Sequence, residues 1–153
     1  MTEKFDEIDL RLLRLLQQSA DLSLDEISER VGLSRNACWR RIKAMEAAGV
    51  IEKRITLLNA DKLGLSLMVF ILVRTNEHSP EWLEKFRRAT RSIPEIQSVY
   101  RMTGDLDYLI SARVRDMADY DRIYQKLTEQ VVLADVSASF VMEFIKDTQE
   151  LPL

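Results

Sequence analysis

Between positions 34 and 46 the chain reads SRNACWRRIKAME, placing three arginines, a lysine, an asparagine and a tryptophan within one helical length. Such side chains suit the major groove of DNA. Arginine can fork onto guanine O6 and N7, asparagine onto adenine N6 and N7, and lysine can meet phosphate. Helical spacing sorts them into two sides. Cys38, Ile42 and Met45 recur at i, i+4 and i+7 and face inward, while Arg35, Trp39 and Lys43, with Asn36 and Arg40 alongside, fall opposite. Trp39 has two readings: contact with sugar and thymine methyl groups, or burial between domains. Arg41 borders the inward stripe and also has two, a phosphate contact or an internal ion pair.

The net charge of the chain is −3, which alone argues against a polyanionic partner. Its distribution points the other way. Residues 30–54 carry seven basic side chains against Glu46 and Glu52, whereas residues 61–153 carry twelve basic and fifteen acidic ones. Positive charge is therefore local to the segment that holds the candidate helix.

That helix needs a platform. EIDLRLLRLLQQSA puts Ile8, Leu12, Leu15 and Ser19 on one face, widened by Leu13 and Leu16, as expected of an amphipathic helix. In SLDEISERVG, Ser23 and Glu26 have capping-box spacing and Gly32 stands at the helix end. Ser34 can cap the next helix and Gly49 can close it. The short GLS connection is what a helix-turn-helix requires. GVIEKRITLLN follows, offering Lys53 and Arg54 either as a short wing toward phosphates or as part of a linking strand.

From residue 65 the periodicity changes. LSLMVFILVRT reads as a buried strand. SPEWLEKFRRATRSI reads as a helix capped by Ser79, with Trp82, Phe86, Ala89 and Ile93 inward. EIQSVYRMT and LDYLISARV form a hairpin around Gly104 and Asp105. A second helix is expected to turn Met117, Tyr120, Tyr124, Leu127 and Val131 inward, and ADVSASFVMEFIK closes as a strand. The order βαββαβ predicts a ferredoxin-like α+β sandwich. Its helix-free sheet face needs a cover, and a second copy of the chain is the expected one. The corresponding limits are 1–52 for the helix-turn-helix, 53–64 for a linker or wing strand, and 65–153 for the sandwich.

Enzymatic chemistry finds little support. His78 is the single histidine and lies in the polar stretch NEHSP, where a solvated loop residue is expected. No metal-ligand cluster, phosphate-cradling glycine loop or nucleophile–base pair stands out. No apolar run reaches the length of a membrane span. The opening MTEKFDEIDL is too acidic for a signal peptide, and the lone Cys38 suits a reduced compartment, so a cytoplasmic location is expected.

DEIDLRLLRLLQQSADLSLDEISERVGLSRNACWRRIKAMEAAGVI, with RMTGDLDYLISARV and FVMEFIK, resembles the Lrp/AsnC (feast/famine) family of transcription regulators over about residues 5–148. The resemblance implies a winged-type helix-turn-helix that binds double-stranded DNA through Ser34, Arg35, Asn36, Trp39, Arg40, Arg41, Lys43, Lys53 and Arg54. It also implies a ferredoxin-like (RAM-type) domain that binds a small amino-acid effector and assembles the protein. Dimers form by sheet-to-sheet packing and associate into tetramers, octamers or larger discs. By the same analogy the effector lies beside the hairpin, against Thr103, Gly104, Asp105 and Asp107, with Tyr100, Ser137 and Ser139 adding hydrogen bonds. An α-ammonium would meet Asp107 and an α-carboxylate the backbone N–H groups of the glycine turn. Asp107 can equally serve its own hairpin backbone. No cofactor or metal is implied. Two rivals share the architecture: an amino-acid-sensing subunit that does not bind DNA, and a decarboxylase of haem precursors.

Overall fold

The computed structural model describes residues 5–153. They fall into two compact units, one running to Leu57 and including Lys146–Leu153, the other spanning Leu58–Ile145.

The first unit is built on three helices, α1 (Glu7–Gln18), α2 (Leu24–Val31) and α3 (Arg35–Ala47). Each begins where a side chain can accept from an orphan N–H group. Ser23 and Glu26 form the expected capping box on α2, and Ser34 Oγ accepts from Ala37 N–H on α3. A second box, missed in the sequence, starts α1: Asp9 N–H donates to Asp6 at 2.8 Å and Asp6 N–H to Asp9 at 3.2 Å. Gly32 ends α2 at φ 75°, a left-handed turn open to glycine at little cost, so α3 can start only three residues later. Leu12, Leu16, Ile27, Val31, Cys38, Ile42 and Met45 form the buried core, with Ile8, Leu13 and Leu15 packed partly against it. The inward side of α3 is the one its spacing predicts.

Of the two readings of 53–64, a linker or a wing strand, the strand does not form. Residues 52–59 form neither helix nor strand, and a 3-10 turn at Asp61–Leu63 follows. An isolated strand needs a neighbour for its N–H and C=O groups, and this stretch has none, leaving Ile55, Leu57 and Leu58 exposed.

The second unit contains β1 (Leu67–Arg74), α4 (Pro80–Arg91), β2 (Ile96–Arg101), β3 (Tyr108–Val114), α5 (Met117–Gln130) and β4 (Asp135–Phe140). This is the predicted βαββαβ order. The sheet is antiparallel, in the order β2-β3-β1-β4. Val69, Ile71 and Val73 of β1 and Tyr108, Ile110, Ala112 and Val114 of β3 face the helices, where they meet Trp82, Phe86, Ala89, Ile93, Ile123, Leu127 and Val131. Trp82 stacks on Phe86 with centroids 5.1 Å apart, and its indole N–H donates to Val132 C=O at 2.9 Å. The last strand stops at Phe140, earlier than the apolar pattern suggests.

The face of α5 differs from expectation. Met117 and Tyr124 are exposed, and the buried stripe is Asp119, Ile123 and Leu127, with Tyr120 at its margin. The reason is a carboxylate in an apolar-looking position. Asp116 caps the helix by accepting from Asp119 N–H at 2.8 Å, and the Asp119 side chain accepts from Arg115 N–H at 3.1 Å and pairs with Arg122. Those bonds rotate the stripe toward Asp119.

The Arg115 N–H bond, aided by Arg122, holds the Asp119 carboxyl below its ordinary value of 3.8. A carboxyl depressed in the folded state stabilises fully above the unfolded pKa and loses that contribution as pH falls through the folded one. Urea midpoints should therefore stay level above about pH 5 and decline below the ordinary carboxylate range. Asp119→Asn should flatten part of that decline; an unchanged acid slope would show that the carboxylate contributes nothing.

Candidate functional site

The outward side of α3 is exposed. Trp39 is 51 % accessible, and Asn36 and Arg40 stand exposed beside it. Trp39 and Asn36, with Leu24, Ser34 and Arg35, bound a shallow, solvent-open hollow of about 560 Å³ at the start of the helix. Such a surface offers two forks, an amide and an indole face along one side of a helix.

Its charge is less bare than the sequence implies. Arg35 Nε lies 3.1 Å from Asp25 of α2, Lys43 2.6 Å from Glu46, and Arg54 3.2 Å from the same Glu46. Lys43 accordingly lowers the pKa of the Glu46 carboxyl. Exposed pairs of this kind contribute about 0–1 kcal/mol, so a phosphate can displace them. Arg40 and Lys53, among the described residues, have no acidic partner within 4 Å. Arg40 is thus a standing positive charge of this face, and Lys53 one of the segment that follows it.

Arg41 resolves toward the internal pair. Its Nη1 lies 2.7 Å from Asp9 and 2.8 Å from Asp6, the two carboxylates of the α1 cap. These bonds push the guanidinium pKa up, and the Asp6 carboxyl is held low, first by Asp9 N–H and then by Arg41. Arg41 therefore locks α3 onto α1 rather than reaching outward. Spacing shows the Lys43–Glu46 pair in advance, but nothing in the sequence pairs Arg41 with residues 32 and 35 positions away.

The hairpin residues gather at one end of the sheet. Thr103, Gly104 and Asp105 are exposed, and Gly104 has a φ of 97°. Asp105 C=O accepts from Arg74 Nε at 2.9 Å, while Arg74 Nη1 pairs with Asp135 at 2.8 Å. Asp107 is occupied structurally on three sides. Its carboxylate accepts from Thr75 N–H at 2.8 Å, its N–H donates to Val73 C=O at 3.1 Å, and its C=O accepts from Met102 N–H at 2.9 Å. Asp105 keeps its carboxylate free for solvent or ligand among the described residues.

Tyr100, Ser137 and Ser139 lie on the helix-free face. The register runs Tyr100–Leu109–Leu72–Ser137 in one row and Ser98–Ser111–Phe70–Ser139 in the next. Tyr100 and Ser137 thus occupy opposite edges, three strand spacings or roughly 14 Å apart. One subunit does not bring them to a single small ligand. Arg74 and Thr75, which sequence reasoning missed, are the residues that do meet the loop, and Asp135 holds Arg74 there; only the three-dimensional strand order brings them together.

Residues 5–52 match the family described as winged helix-turn-helix DNA-binding, and residues 68–151 match the Lrp/AsnC ligand binding domain. The chain is 47 % identical over 153 residues to the glutamate uptake regulatory protein of Zymomonas mobilis, covering all of this chain and 93 % of that one. It is similar to the crystal structure of an AsnC family transcriptional regulator from Agrobacterium tumefaciens, with 42 % identity, a TM-score of 0.92 and 97 % of each chain covered. A transcriptional regulator from Neisseria meningitidis, solved in complex with L-methionine, gives 34 % identity and a TM-score of 0.93 over 97 % of each chain.

Two neighbouring arginines can be told apart by experiment. Arg40→Ala should weaken DNA binding and reduce the slope of log affinity against log salt by about 1, the signature of one lost phosphate contact. Arg41→Ala should leave that slope unchanged and instead lower the thermal midpoint of the first unit. Equal salt slopes for both variants and the parent would remove Arg40 from the interface.

Proposed function

Because the chain belongs to the Lrp/AsnC family of transcriptional regulators, we propose that it binds a DNA operator through α3 and tunes that binding with a small amino-acid effector. The carrying observation is the exposed side of α3, where Asn36, Trp39 and Arg40 stand clear while Cys38, Ile42 and Met45 are buried. Arg35, Arg40 and Asn36 supply base-edge contacts, Lys43, Lys53 and Arg54 phosphate contacts, and Trp39 an apolar face against sugar or thymine methyl groups. Arg41 and Ser34 act through the fold, one as clamp and one as cap.

The effector lies at the Thr103–Asp107 loop. An α-carboxylate suits the N–H groups around Gly104, and an α-ammonium suits the free carboxylate of Asp105. The L-methionine complex of the Neisseria relative supports an amino acid as the ligand class. The helix-free face, with Met68, Phe70, Leu72 and Leu109 along its centre, is covered by a second copy, and a dimer places two α3 helices about 34 Å apart in successive major grooves. Tyr100 and Ser137, too far apart within one subunit, can then serve different neighbours. Higher assembly from dimers is part of the same reading. The protein acts without catalysis, cofactor or metal, in the cytoplasm where its DNA lies. Its relatives' names as regulators support this, and no helix among the described residues is long and apolar enough to cross a membrane.

Fluorescence anisotropy with the DNA upstream of the protein's own gene, at two salt concentrations and with each L-amino acid in turn, tests the reading. Salt-sensitive binding that one amino acid shifts is the expected result. Nonspecific affinity under every condition, repeated on sheared genomic DNA, would sink it. Asp105→Ala should lower effector affinity while the apo protein still binds DNA. Asp107→Ala should instead destabilise the second unit by about 1–3 kcal/mol in urea, because Thr75 N–H loses its acceptor.

A further inference from the structure

Residues 146–153 contact the first unit, although by chain order they follow β4 of the second. The Gln17 side chain on α1 makes a reciprocal pair with Leu151: its Nε2 donates to Leu151 C=O and its Oε1 accepts from Leu151 N–H, both at 2.9 Å. A side-chain amide here reads a backbone as a neighbouring strand would. Arg14, one turn earlier and steered by Glu7 at 2.9 Å, donates from Nε to Leu153 C=O at 2.8 Å. Arg14 and Gln17 sit at i and i+3, so they present one continuous edge.

The docked segment is shaped for this edge by its own sequence. Pro152 has a fixed φ and drives Leu151 toward extended backbone, which turns both Leu151 polar groups sideways to Gln17. The contact is nevertheless slight. Leu151 remains 66 % exposed, and all three hydrogen bonds to α1 lie in solvent. Water competes for every one of them, so docked and free forms are close in free energy.

We propose that Lys146–Leu153 is a reversible strap, docking on α1 through Gln17 and Arg14, and that its docking couples effector occupancy to the helix-turn-helix. The proposal rests on the amino-acid reading given above. From Phe140 to Leu151 the chain has eleven steps and can reach at most about 40 Å. Docked, it limits how far α1 can travel from the end of β4; released, it leaves residues 52–59 as the remaining covalent tether. The other end of β4 is already tied to the effector loop, since Asp135 holds Arg74 and Arg74 holds Asp105 C=O. A ligand that changes the Arg74–Asp105 contact therefore pulls on the strand from which the strap departs.

Amide hydrogen exchange on the full chain, resolved by residue, tests this. In the wild-type protein the Leu151 amide should exchange about tenfold more slowly than in a free peptide. Gln17→Ala should abolish that protection while leaving the Leu12 and Leu16 amides of α1 unchanged, which excludes general unfolding. A mixture of the twenty L-amino acids at millimolar concentration should raise the thermal midpoint and change Leu151 protection by about threefold or more in the wild type, with no change in Gln17→Ala. Free-peptide exchange at Leu151 in the wild type overturns the strap, as does protection that survives Gln17→Ala. A raised midpoint with unaltered Leu151 exchange overturns the coupling alone. No shift in the midpoint overturns the effector reading and the coupling that depends on it.

Discussion

Asp6 and Asp9 are each used twice, and the first unit is organised around that economy. Their carboxylates satisfy the free N–H groups at the start of α1, and the same two carboxylates grip Arg41 of α3. Helix rotation is about 100° per residue, so a guanidinium fixed at one position fixes the direction of every other side chain on α3. Cys38, Ile42 and Met45 are thereby committed to the core, and Asn36, Trp39 and Arg40 to solvent. The surface proposed to read the groove is in this sense a by-product of a charge clamp at its back.

The second unit solves a different problem, a sheet with helices on one side. Its inner face is an aliphatic and aromatic core with hardly an exposed atom, and its outer face mixes apolar centre with polar edges. Arg74 stands where the two demands meet. It ends the central strand, and its fork joins β4 to the hairpin loop through one carboxylate and one carbonyl. An arginine suits that post because its donors diverge in a rigid plane, whereas a lysine would make a single point contact.

What could be read in the sequence was what local periodicity encodes. The Ser23–Glu26 box, the inward side of α3 and the Trp82–Phe86–Ala89–Ile93 stripe of α4 all depend on residues within two turns of one another, and all are present. The αL glycine at position 32 belongs to the same class. Failures came where the deciding partner lies elsewhere in the chain. Apolar counting put Met117 and Tyr124 inside α5, because it has no means of knowing that Asp119 would be satisfied by Arg115 N–H and Arg122 and so be allowed inside. The apolar alternation at Ile55 and Leu57 suggested a strand, but alternation supplies only one half of a ladder. At the candidate interface, the outward side chains of α3 were readable, whereas the quenching of Arg35 by Asp25 and of Arg41 by α1 was not. At the hairpin, the turn was readable, while the engagement of Asp107 by Thr75 needed β1 and β3 side by side.

Cys38 carries a consequence of another kind. Its thiol is buried among the side chains that hold α3 in place, and burial pushes its pKa up, so almost none of it exists as the reactive thiolate. Electrophiles can reach it only when the three-helix core opens. It is the single cysteine in the chain, so the slow alkylation of the whole protein has one source. The residue thus works as an internal clock for breathing of the helix-turn-helix unit.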